Sequence, residues 1–177
     1  MAVTTVFNYK WNKNNKGFFI KPHLSIELVI NTRKLTSGID SSTINIIDLK
    51  SKILNDGWGS AEKVHLHLKI DDITNDFERH PWIEHGTDRN YTRPKRIQET
   101  TILRNEDAQA HIVSLTIEHN EAVVQTLNNQ EGYALELDKK YHIQVKVTGH
   151  FNMVKWSFNV KPKSNGKFEC STPAEIY

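Results

Sequence analysis

Two stretches near the C-terminal end alternate without a break, and they limit the possible folds more than anything else in the chain. Tyr141, Ile143, Val145 and Val147 alternate with His142, Gln144, Lys146 and Thr148; after a turn near residues 149–153, Val154, Trp156, Phe158 and Val160 alternate with Lys155, Ser157, Asn159 and Lys161. A period of two sends successive side chains to opposite sides of a strand, so this pattern predicts a β-hairpin with one apolar and one cationic face. Lys146, Lys155, Lys161 and Lys163 are the candidate contacts to an anionic surface.

The region from His23 to Ile70 predicts a second unit. Leu24, Ile26, Leu28 and Ile30 alternate with Ser25, Glu27 and Val29, as on a half-buried strand. Ile46, Leu49, Ile53 and Leu54 then fall at i, i+3, i+7 and i+8, the spacing of a helical stripe. Asn45 is the expected N-cap and Gly57 the left-handed stop, so a helix is expected over about 45–56. Val64, Leu66, Leu68 and Ile70 return to strand periodicity. Further along, His111 to His119 reads as a strand with Val113, Leu115 and Ile117 inward. A second helix is expected after Asn120, carrying Ala122, Val123 and Leu127 and ended by Gly132. The expected fold is α+β, one antiparallel sheet packed against two or three helices in a single domain. Residues 1–21 would form an arm, 22–162 the globular body and 163–177 a loosely held tail.

The 23–70 unit resembles the matrix proteins of rhabdoviruses, most closely the plant-infecting cytorhabdovirus group. The resemblance rests on a strand ending in the basic turn Val29-Ile-Asn-Thr-Arg33-Lys34, a helix, the loop Gly57-Trp58-Gly59, and the strand Val64 to Ile70. It implies a self-associating, non-enzymatic virion protein beneath the envelope, found in the host cytoplasm and on the cytoplasmic face of host membranes. The implied role is to link the nucleocapsid to anionic membrane and promote assembly and budding, with a viral glycoprotein tail as a further partner. The chain has no Pro-Pro-x-Tyr motif and a short leader, so recruitment of budding machinery through that motif is not implied.

In such proteins an N-terminal segment reaches a neighbouring subunit, and here Phe7, Tyr9 and Trp11 stand isolated in a polar leader. They are the candidate self-association residues; the alternative is an edge strand covering the sheet. From Asp71 to Glu99 periodicity vanishes. Pro81, Trp82 and Ile83, with Arg89 and Arg93 behind them, are the candidate membrane contacts of a long loop, unless Trp82 and Ile83 fold back into the core.

Charge placement supports anionic partners more than the net charge of +2 does. Residues 1–40 hold six basic residues against two acids, and Lys139 to Lys167 holds seven lysines and no acid. Met1-Ala-Val-Thr does not begin a signal peptide, no window approaches the length of a membrane span, and the lone Cys170 excludes an internal disulfide. His65-x-His67 lacks a third ligand at metal spacing, and no phosphate loop or nucleophile elbow is present, so neither metal, cofactor nor catalysis is expected. The alternative function is a nucleic-acid-binding accessory protein, a silencing suppressor or movement factor, with Trp156 and Phe158 as stacking platforms. Periodicity opposes the stacking, since both rings fall on the apolar face.

Overall fold

The computed structural model describes residues 21–36, 43–84, 95–118, 121–126, 129 and 131–177. In chain order the strands are β1 (Leu24–Thr36), β2 (Thr43–Asn55), β3 (Ala61–Ile70), β4 (Glu78–His80), β5 (Trp82–Glu84), β6 (Lys95–Ile97) and β7 (Thr100–Ile102). They continue with β8 (Asp107–Glu118), β9 (Glu121–Gln125), β10 (Tyr133–Leu135), β11 (Tyr141–Gly149), β12 (Phe151–Pro162), β13 (Phe168–Cys170) and β14 (Ala174–Glu175). Among the described residues there is no helix. The fold is all-β, and the α+β expectation is wrong.

Two seven-stranded antiparallel sheets divide these strands. The first runs β1-β2-β8, with β5 and β9 both along the far edge of β8, β6 beyond β5 and β10 beyond β9. The second runs β12-β11-β3, with β13 and β14 along the free edge of β12 and β4 and β7 along that of β3. Their apolar faces meet in one core. The first sheet contributes Ile47, Leu49, Ile53, Leu115 and Ile117, and the second Val64, Leu66, Ile143, Val145 and Phe158, all buried. Burying each such side chain contributes about 1.5–3 kcal/mol.

The expected helix over 45–56 is strand β2, paired with β1 on one side and β8 on the other. Its inward residues are Ile47, Leu49, Ser51, Ile53 and Asn55, at strict period two and all buried. Polar residues at two of those five positions hide the alternation, while Ile46 and Leu54 on the opposite face complete a false helical stripe. The β-branched Ile44, Ile46, Ile47 and Ile53 suit the pleated backbone. Gly57 has no left-handed backbone. Its role is close approach, because a Cβ there would lie 2.2 Å from the His23 backbone nitrogen.

The second expected helix is also a strand. In β9, Ala122 and Val124 point inward and pair with Ile117 and Leu115 of β8. Asn120 and Leu127 lie outside the described residues. Gly132 does adopt the left-handed region, at φ 86°, but in the turn that brings Tyr133 back opposite Val124. A run of only five residues, with Ala and Val together, shows no period long enough to separate strand from helix.

Where alternation is intact, expectation and structure agree. Strands β11 and β12 pair in the expected hairpin, with Tyr141 opposite Val160, Ile143 opposite Phe158 and Val145 opposite Trp156. The inward residues of β3 and β8 named from the sequence are buried. Residues after Lys163 continue the second sheet, since β13 and β14 both pair with β12.

Candidate functional site

The outer face of the second sheet carries a run of basic residues, and strand register puts them in line. Lys155 on β12 lies opposite Lys146 on β11, Lys146 opposite His67 on β3, and His67 opposite Arg79 on β4. Neighbouring strands are about 4.8 Å apart, so this row of four basic residues crosses the sheet over about 14 Å. Each is there because its chain neighbours fill the core: Val145 and Val147 flank Lys146, Leu66 and Leu68 flank His67, and buried His80 follows Arg79.

The row differs from its surroundings in how its charge is compensated. Among the described residues neither Lys146 nor Lys155 has a carboxylate partner; Lys146 instead places its Nζ 4.3 Å from the centroid of the Phe77 ring. One step along the sheet, Lys69 sits 3.4 Å from Asp71, and Gln144 donates to both oxygens of the same carboxylate. Lys161 pairs in register with Glu169, and Lys163 makes a 3.1 Å ion pair with that residue. The hydrogen bond that the Lys163 ammonium donates to Glu169 holds it above its ordinary pKa. Of the four lysines chosen from the sequence, Lys146 and Lys155 therefore form the uncompensated centre, Lys163 pairs with Glu169, and Lys161 lies opposite that acid in the register.

His67 and Arg79 join the site only through pairing. His67 Nε2 is 3.2 Å from Thr148 Oγ1. Burial, reinforced by Lys146, His65 and Arg79, lowers the His67 pKa, so the ring is neutral at pH 7. Arg79 Nη2 donates to His65 Nδ1 at 2.6 Å, and His65 Nε2 faces Glu99 at 3.4 Å. His65 and His67 are thus engaged within the basic face, and among the described residues no group of three metal-ligating side chains forms. A histidine two positions from another on a strand was visible in the sequence. That Arg79 would stand beside them was not.

The membrane-contact expectation is overturned at its centre. Pro81 and Trp82 are buried, and the Trp82 indole Nε1 donates to the Val64 carbonyl at 3.0 Å inside the core. Pro81 is the corner at which the chain leaves β4 in the second sheet and enters β5 in the first, so Trp82 and half-buried Ile83 are sheet residues, not a loop tip. Arg89 and Arg93 lie outside the described residues, as do Phe7, Tyr9 and Trp11. Among the described residues the exposed tryptophan is Trp58, 58% accessible, with the Arg104 guanidinium 4.1 Å from its ring centroid. Trp156 and Phe158 are core residues and offer no stacking platform.

The first sheet holds a Ser, His and Asp group that sequence motifs did not reveal. Ser114 Oγ donates to Asp48 Oδ1 at 2.6 Å, and His111 Nε2 lies 3.1 Å from Ser114 Oγ and 3.4 Å from Asp48 Oδ1. A relay needs one imidazole nitrogen on the serine and the other on the carboxylate, whereas here one nitrogen faces both. The register pairing Asp48 with Ser114 accounts for the cluster. Cys170 is half-buried, and burial pushes its thiol up to about 11, so it is protonated at neutral pH.

No protein-family model, no curated protein and no solved structure matches the chain.

Proposed function

We propose that this chain is a non-enzymatic binding module that holds the phosphates of a nucleic acid or ribonucleoprotein on the outer face of its second sheet. This is the nucleocapsid-facing part of a matrix-type viral adaptor. The observation that carries the proposal is the Lys146–Lys155 pair, two like charges directly opposite each other and without a carboxylate partner among the described residues. Such a pair lowers fold stability on its own and gains when a polyanion lies across it.

The viral setting rests on the resemblance through the two strands and the Gly57-Trp58-Gly59 loop alone, because the helix between them is strand β2. Within that setting the chain lies beneath the envelope, and its lipid contact is electrostatic, since Trp82 belongs to the core. A nucleic-acid-binding accessory protein would use the same phosphate contacts without lipid. Binding to single-stranded RNA and to anionic vesicles, compared for the full chain and for Lys146→Glu with Lys155→Glu, separates the readings. The adaptor reading expects both partners to be held and both to weaken in the variant; RNA alone favours the accessory protein. Binding to neither, or binding that the variant leaves unchanged, refutes the proposal.

A further inference from the structure

Sheet edges are open templates for pairing, and folded proteins blunt them by making edge strands short, twisted or charged. Among the described residues this protein does so at nearly every edge: β4, β6, β7, β10 and β13 are three residues long and β14 is two. The exception is β1, with 13 residues, no proline and, among the described residues, β2 as its one partner. Its middle emerges from the fold. Leu24 is buried, but Val29 is 36% and Ile30 46% accessible, and Ile30 borders an open groove of about 740 Å³ whose far wall is residues 165–170.

We propose that β1 pairs antiparallel with β1 of a second copy of this chain, joining the two first sheets across a two-fold axis. The register follows from geometry. In an antiparallel pair, opposed residues turn both main-chain groups toward each other or both away. Two copies of one strand can therefore meet only where opposed positions have the same parity. Full overlap of Leu24–Thr36 with itself satisfies this, with Ile30, the midpoint, opposite its own copy. That register puts Glu27, the one acid of β1, opposite Arg33 twice in the dimer. Shifting the centre by one residue to Val29 or Asn31 puts Glu27 opposite Asn31 or Leu35 and shortens the overlap. Maximal pairing and charge complementarity thus select the same arrangement, with about a dozen interchain main-chain hydrogen bonds.

The experiment is sedimentation equilibrium of the full chain at several concentrations, with Glu27→Arg, Arg33→Glu and the double variant beside it. A dimer is expected for the parent chain, about tenfold or more weaker in each single variant and restored in the double variant, because only the exchange recreates two opposite-charge pairs. A parent chain that stays monomeric at all concentrations overturns the proposal. So do single variants that dimerise as tightly as the parent, or a double variant no tighter than the singles. Circular dichroism melting of each variant shows that a lost dimer is not a lost fold.

Discussion

The β11–β12 hairpin and the β1–β2 hairpin have similar length and apolar content, yet they spend their surfaces differently. In β11–β12 every inward residue from Tyr141 to Val147 is buried, because β3 continues the sheet on one side and β13 and β14 border the other. Its outer face is left to Lys146 and Lys155. In β1–β2 the inner strand is buried along Ile47, Leu49 and Ile53, but the outer one passes from buried Leu24 to exposed Ile30 within six residues. Position in the sheet, more than composition, decides whether a strand supplies core and a charged face or an open edge.

The end of β1–β2 is fixed by one side chain. Asn55 is fully buried; its Oδ1 accepts from the backbone nitrogens of Gly57 and His23, and its Nδ2 donates to the carbonyls of Gly59 and Ile102. Asn55→Ala leaves these groups without partners and is expected to cost about 4 kcal/mol, given about 1–3 kcal/mol for each buried polar group left unsatisfied. Chemical denaturation measures it. A loss under about 1 kcal/mol would show that water replaces the amide.

Acid probes the edge beside the charged hairpin. His80 on β4 is buried, its Nε2 donating to the His111 carbonyl at 2.6 Å while Nδ1 has no partner. Burial, aided by the nearby His111 and Arg96, lowers its pKa to about 4 from 6.5 against the opposing backbone bond. The unfolded chain binds the proton more readily, so this contribution is complete above pH 6.5 and is lost as pH falls toward 4. The expected loss is about 3 kcal/mol at 1.36 kcal/mol per unit. His80→Phe should flatten the fall in melting temperature over that window; an unchanged pH profile would place the acid sensitivity elsewhere.

Smaller changes separate the two hairpins by their response to salt. Ser51 Oγ is buried without a hydrogen-bond partner on β2, so Ser51→Ala is expected to be stabilising by up to about 1 kcal/mol. Lys155→Gln relieves a like-charge pair and should add about 0.2–1 kcal/mol while weakening anion binding. Thermal melts at low and high salt check both, since the gain from Lys155→Gln shrinks with salt and that from Ser51→Ala does not.

These positions also show what could be read without coordinates. Strand β3 and the β11–β12 hairpin were legible because no inward position is polar. Strand β2 was not, because polar residues occupy two inward positions: Asn55 anchors the loop after the strand through its amide, and Ser51 is buried without a hydrogen-bond partner. Strands β4, β5 and β6 were missed because three residues cannot display a period and Pro81 reads as a loop residue when its job is to turn the chain between sheets. In the site, Lys146 and Lys155 followed from the hairpin alone. His67 and Arg79 joined through the pairing of β11 with β3 and of β3 with β4, which the sequence did not reveal.

The central claim is that the register-aligned row binds phosphate backbone, and the slope of RNA affinity against salt tests it most directly. Each phosphate neutralised on a single strand contributes about −0.7 to the slope of log K against log salt, so contacts from the three cations of the row, Lys146, Lys155 and Arg79, predict a slope of about −2. Replacing Lys146 and Lys155 by Gln should reduce its magnitude by about 1.4, two contacts' worth, with the fold intact. A slope near zero in the parent chain, or one that the double variant leaves unchanged, would contradict the account.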